Sequence, residues 1–461
     1  MSHRAPAAIA STLLILIGLG KAAEPTQGER NWPQWRGPLG VGIAPVGDPP
    51  VSWSEARNIK WKVKLPGYGQ GTPVVWENKI FVQTAIATGR KAAPGTQGSA
   101  APTAAGPGGR GGSGRRGGGF LSTTPTEAYA FVLMCIDRES GRTLWQKTAC
   151  EVVPHEGHHR TEGSFAAASA ITDGKCVLAF FGSRGLYCYD MDGRLKWKAD
   201  FGQMRIVMSF GEGSTPALCG DIVVVNWDHE GGSFITALDK NTGKPLWKMP
   251  REERSSWATP LVVEHEGKRQ VIVAATGKIR SYEPETGKMV WECAGLTRNV
   301  IPTPVVADGV VYATSGYQGN SLLAIRLGRD GDLTGTDAIA WSYRKNTPYV
   351  PSPLLYQKRI YFFSGNNAVL TCLDSATGKV LIDAKRLDAL EGVYASPVAA
   401  GGRVYLAGRN GTVVVIKPSD TLEILATNRL DERFDASPAV VGNEMFLRGR
   451  EHLYCIAAPA R

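Results

Sequence analysis

Helix signal is what this chain most conspicuously lacks. No long window of its 461 residues repeats apolar positions at a helical period, while glycine (55) and proline (28) are frequent. That excludes a helical bundle and points to an all-β chain. The eight cysteines include no CxxC, so zinc-ribbon and thioredoxin-type redox readings have no support. Beyond residue 22 no stretch is apolar and long enough to span a bilayer. There is no glycine-rich phosphate loop between a strand and a helix, and no Ser-His-Asp or paired-carboxylate motif. A basic stripe with interleaved aromatics is also missing.

The net charge of +10 does not replace that stripe. Arg4 and Lys21 lie in the first 22 residues, and Arg90, Lys91, Arg110, Arg115 and Arg116 lie in one low-complexity stretch. Without these seven the balance is about +3, ordinary for a soluble domain, and no nucleic-acid partner is expected. Residues 1–22 read as a secretory signal. Arg4 supplies the positive start, Ala7 to Leu19 the apolar core and Gly20-Lys21-Ala22 the cleavage site. No cysteine follows that core, which argues against lipoprotein processing. The expectation is an exported protein of the periplasm or cell envelope, without a transmembrane span once the signal is removed, and monomeric.

The chain carries a unit repeated eight times. Its clearest copy runs from Gly213 to Lys248. Thr215-Pro216 opens a first strand, where proline is tolerated because it has no donor to give the ladder. Ile222 to Asn226 is a β-branched second strand and Phe234 to Asp239 a third. The turn Asn241-Thr242-Gly243-Lys244 leads into a fourth strand ending on Trp247. The opening step recurs at Thr72, Thr259, Thr303, Ser352, Ser396 and Ser437, each followed by proline, and in degenerate form at Ser169-Ala170. The closing tryptophan recurs at Trp145, Trp197, Trp291 and Trp341. A column of mostly small residues recurs in the third strand: Cys135, Cys188, Ala237, Ser281, Ala324, Cys372, Val415 and Cys455. Four cysteines thus serve as small buried residues, and Cys150, Cys176, Cys219 and Cys293 share no spacing.

Such an array implies an eight-bladed β-propeller of four-stranded antiparallel blades. The last unit, Asp435 to Ala457, has only three strands, and Asn58 to Leu65 reads like a fourth. The N-terminal strand should complete the C-terminal blade, closing the ring and removing its edges. Residues 23–56 form an N-terminal strap in which Trp32 and Trp35 are expected to be packing anchors. Residues 57–461 form the propeller. Residues 87–126, rich in Gly, Ala, Pro and Arg, read as a disordered insert in blade 1.

The run Ala237 to Trp247 matches A-x-D-x-x-T-G-x-x-x-W, and similar runs occur at Cys135–Trp145, Ser281–Trp291 and Cys372–Ile382. In this the chain resembles the pyrroloquinoline-quinone (PQQ)-like propeller repeat family, over roughly residues 31–461. The resemblance implies the propeller fold, with each Trp docked between blades. It is less specific for activity. That superfamily holds quinoprotein dehydrogenases, which bind the quinone and a calcium ion. It also holds non-catalytic members such as the outer-membrane assembly lipoprotein. The dehydrogenases carry a vicinal disulfide, and this chain has no adjacent cysteine pair.

In a propeller, the loops entering each blade and the loops between second and third strands share one face. Two histidine-bearing clusters fall there, Pro154 to Arg160 and Trp227 to Gly232. Imidazoles and carboxylates within reach suit a divalent transition metal, with His155, His158, His159, His229 and Glu230 as candidate ligands. The plain alternative is loop residues that bond one another. The same face should carry Arg205, Arg254, Arg298 and Arg409, with Trp227, Asp228, Trp257 and Asn299. It should also carry Tyr349, Asn366, Asn367 and Tyr394, besides Tyr317 and Arg448. These suit an anionic or sugar-like ligand, or a peptide segment. Asp330, Asp332 and Asp337 read as a plain polar turn. The reading these residues favour is a non-catalytic exported propeller binding a small-molecule, glycan or protein partner at this face. The alternatives are a quinone- or metal-dependent oxidoreductase of the PQQ type and a cell-envelope assembly scaffold.

Overall fold

The computed structural model describes residues 24–91 and 121–459; the expected signal and most of the expected insert lie outside them. Eight antiparallel sheets form a propeller, and helix among the described residues is confined to the 3-10 turns Gly182–Arg184 and Val207–Ser209. None of these is long and apolar enough to cross a membrane. Blades 1 to 7 are each built on four strands in chain order, the first nearest the axis; in blade 5 the short strand Gly331–Asp332 intervenes before the fourth and joins blade 4. Blade 8 takes three, Ala439–Val441, Glu444–Arg448 and His452–Ile456, and pairs the last with Ile59–Lys64. In blade 1, Lys79–Lys91 runs as one strand into the stretch expected to be insert, with Ala87 opposite Tyr129 and Lys91 opposite Glu127.

Register explains the column of small residues. In every blade that position lies directly opposite the closing residue of the outer strand. Cys135 faces Trp145, Cys188 faces Trp197, Ala237 faces Trp247, Ser281 faces Trp291 and Ala324 faces Trp341. In blade 8 Cys455 faces Trp61, supplied from the other end of the chain. All eight column residues are fully buried, so a larger side chain there would collide with the ring packed across from it.

The tryptophans also tie neighbouring blades. The indole N–H of Trp61, Trp145, Trp197, Trp247 and Trp341 donates to a carbonyl in the next blade's last turn, at 2.8–3.3 Å. Gly243, in one such turn, has φ +71°, and a Cβ there would stand 2.6 Å from the Trp197 ring. Glycine is thus required both by backbone conformation and by the indole laid on it. Trp291 departs from this, donating within its own blade to Gln270. Beside it the long turn of blade 5 contributes Gly331–Asp332 as a fifth, parallel strand on blade 4.

At the inner strands of blades 3 to 8, the opening hydroxyl accepts a hydrogen bond from the backbone N–H of the preceding blade's opening residue. The relay runs Ser169 to Thr215, Thr259, Thr303, Ser352, Ser396 and Ser437, at 2.9–3.2 Å. Innermost strands have one unpaired edge, and this relay satisfies donors there without another strand. Between blades the apolar strand faces pack as shared cores, Val223 and Val225 meeting Leu178 and Phe180 for example. Each such fully buried side chain contributes about 1.5–3 kcal/mol.

The strap crosses the base. Trp32 exchanges backbone bonds with Val75 in blade 1, and Pro33 accepts from Thr172 in blade 2. Three residues later Arg36 donates to Pro353 and Pro397, which open blades 6 and 7. A segment joining blade 2 to blades 6 and 7 in so few residues passes beneath the axis. Gly42 and Ala44 then pair with Ala399, and Asp48 donates to Gly442.

Candidate functional site

Above the strap lies a central cavity of about 400 Å³, within the range of small-molecule sites. Every blade lines it at one register: the residue two before each opening Ser or Thr. These are Gln70, Ala167, Gly213, Trp257, Ile301, Val350, Tyr394 and Asp435. Trp35 of the strap lines it from beneath; expected as a packing anchor, it is a wall of the cavity, whereas Trp32 is fully buried. His159, Glu162, Phe210, Glu212, Tyr317 and Tyr349 line it from the loop face. Tyr317 and Tyr349 stack with centroids 5.0 Å apart. Burial pushes the Tyr349 phenol up to about 12. Tyr394, also raised by burial, lies under the Arg409 guanidinium at 4.0 Å and accepts from Asn366.

The acids of the cavity are held from behind. Arg409 pairs with Asp435 at 2.7 Å and reaches Glu162 at 3.4 Å, Arg433 pairs with Asp435, and Arg184 pairs with Glu212. Burial raises the Asp435 carboxyl above the usual range. None of these three arginines lines the cavity.

The expected site residues divide accordingly. Trp257, Tyr349, Tyr394, Tyr317 and His159 are at the cavity. Arg205, Arg254, Arg298 and Asn367 are exposed on the loop face, and Asn299 is half-buried beside them. Arg448 is buried, donating to the carbonyls of Gly71 and Gln83. Trp227 and Asp228 are turned inward, contrary to a role in contacting ligand. Trp227 packs on Phe234 and Phe201 in the core shared by blades 2 and 3. Asp228 forms a buried two-point ion pair with Arg251 and accepts from Ser256.

The two histidine clusters do meet, but around backbone. His155 bonds the Met204 carbonyl, Arg205 N–H donates to His229 Nδ1, and Ile206 N–H donates to Glu156. Glu230 accepts from Ser255, and His158 bonds the His159 carbonyl. Burial lowers the pKa of both His158 and His229, which keeps their rings neutral. Among the described residues no group of three or more His, Cys, Asp or Glu is placed to hold a metal ion. His155, His229 and Glu230 therefore clamp the 204–206 segment, His159 lines the cavity and His158 packs on Phe165; they do not converge. A cavity of about 20 Å³ beside them, between Glu156, Arg184, Asn226 and Asp228, has room for one water.

A family model described as outer membrane protein assembly factor BamB matches residues 130–381 and 366–458. The chain belongs to that family. An outer membrane protein assembly factor BamB of Yersinia pestis is 21% identical over 340 residues, covering 69% of this chain and 78% of that protein. The crystal structure of BamB from Moraxella catarrhalis aligns with a TM-score of 0.50 at 16% identity, over 71% of this chain and 93% of that one. At that identity the likeness to the BamB structure is one of fold.

The quinone implied by the wider superfamily does not fit these residues. PQQ is a polycarboxylate, and the cavity presents Glu162, Glu212 and Asp435 with no lysine or arginine in its lining. Among the described residues no cluster of His, Cys, Asp or Glu is placed to hold a metal ion, and the sequence has no adjacent cysteine pair.

Proposed function

We propose that this chain is an exported scaffold of the cell envelope, holding a protein partner at its loop face; the family's description as an outer membrane protein assembly factor supports the envelope role. The observation that carries the reading is the family match, which spans 130–381 and 366–458. The geometry of the loop face supports it. Leu121 and Met208 are each 44% exposed there, and Met208 sits with Ser209 in a left-handed pair, φ 53° and 52°. A bulky residue pays strain for that conformation, and such strain collects where a surface has a task. Arg205, Arg254 and Arg298 are also exposed, and exposed arginine with apolar side chains is a composition common to protein-binding patches.

The test places a photo-crosslinking amino acid at Met208, and in a control at Leu246 on the outer rim, in cells that make the protein. The expected result is fractionation with the envelope and a crosslink to an envelope protein from position 208 alone. A cytosolic protein, or equal crosslinking from the rim, overturns the reading.

A further inference from the structure

We propose that the central cavity is a binding site for an organic cation, an ammonium group carried on a hydrocarbon body. This stands apart from the scaffold reading, because it concerns the axis and not the surrounding loops. The chain is basic, with 52 Lys and Arg against 42 Asp and Glu, yet no Lys or Arg lines this cavity. Six aromatic rings do: Trp35, Phe210, Trp257, Tyr317, Tyr349 and Tyr394. Ring faces carry the negative end of the quadrupole and attract cations at short range, with indole the strongest. Glu162, Glu212 and Asp435 supply the only formal charges among the lining side chains, His159 being the other titratable group besides the tyrosines.

A second observation concerns the cavity wall. Ser164 belongs to the cavity wall and is 3% exposed, and its buried Oγ has no hydrogen-bond partner among the described residues. A buried hydroxyl is rarely left unpaired, and Ser164 stands in the wall between this cavity and the water-sized one beside it.

The arginines behind the acids do not cancel the preference. Arg184, Arg409 and Arg433 fix the carboxylates in place but stand one layer back, so a ligand meets rings and carboxylate oxygens first. Interaction falls with distance, and the nearer charge dominates. The influence of Glu162 reaches both Tyr349 and Tyr394, where it adds to burial in raising the phenols. A neutral Tyr349 phenol keeps its ring available as a cation face on the side away from Tyr317, while one face of Tyr394 already carries Arg409. Trp35 closes the base, so the cation enters from the loop face.

The cation has two natural sources, a free small amine or a lysine side chain of a bound protein. Choline and 3,3-dimethylbutan-1-ol have nearly the same shape and differ in charge, so they isolate the cation. Titrated against the intact protein, choline should change the fluorescence of Trp35 and Trp257 saturably, and the alcohol should bind about tenfold more weakly. Glu162→Gln should weaken choline about tenfold and leave the alcohol unchanged. Tyr317→Leu, checked for folding by circular dichroism, should weaken choline even if Glu162→Gln misfolds. N-acetyl-lysine methylamide binding more tightly than choline assigns the site to a protein side chain; the reverse order assigns it to a free amine. Equal affinity for choline and the alcohol, or no saturable binding of either cation, overturns the proposal.

Discussion

The junctions between blades 2 and 8 and the two junctions that flank blade 1 hold the ring by different means. Six consecutive junctions use the hydroxyl relay, in which Thr serves in blades 3 to 5 and Ser in blades 6 to 8, each giving only a short-reach acceptor. At blade 1 the relay stops. Thr72 Oγ1 is buried without a partner, and longer side chains span the gaps. Arg448 of blade 8 donates to Gly71 and Gln83 in blade 1. Gln83 in turn donates to Ala168 and Phe180 of blade 2 and accepts from Phe180 N–H. Arg448 has no carboxylate beside it, and burial pushes its pKa down to about 10. The relay spreads the work over many equivalent positions. The blade 1 junctions concentrate it in two side chains that nothing duplicates.

Chemical denaturation of point variants sharpens this contrast. Arg448→Ala should cost the most, about 3–5 kcal/mol, since it removes two charged donors and leaves a void. A cost no greater than that of a relay variant would break the comparison. Gln83→Leu comes next at about 2–3 kcal/mol, leaving two carbonyls and one N–H of buried backbone unpaired. Thr303→Val strikes the relay itself. It removes the acceptor of the Thr259 N–H and the donor to the Thr259 carbonyl, for about 1–2 kcal/mol. Thr72→Val should change stability by less than about 0.5 kcal/mol, because the hydroxyl it deletes bonds nothing. A loss comparable to that of Thr303→Val would place Thr72 inside the relay after all.

The repeat, the blade count and the shared face of the loops were legible because each rests on local chemistry recurring at a fixed spacing. A turn glycine, an opening Thr-Pro and a closing Trp each announce themselves within a few residues. Radial position was not legible in the same way. Trp227 and Trp257 both occur near loop ends rich in polar residues, yet one packs between blades and the other lines the axis. The difference is set by register to the opening residue. Trp257 and Tyr394 stand two before theirs, and the same count would have found Gln70 and Asp435. The histidine clusters were placed on the right blades, but their targets are backbone groups of 204–206, which carry no side-chain signature in a sequence.

The pairing of Ile59–Lys64 with His452–Ile456 has a consequence in time. Lys60 bonds Glu444, 384 residues further along, and Trp61 finds its small counterpart only at Cys455. The first strand to be synthesised waits for the last. Closing so long a loop is slow compared with pairing within a blade, so an incomplete chain carries an unmatched strand, with Trp61, at one end and open blades behind it. Such an intermediate offers free edges to any neighbour of the same kind.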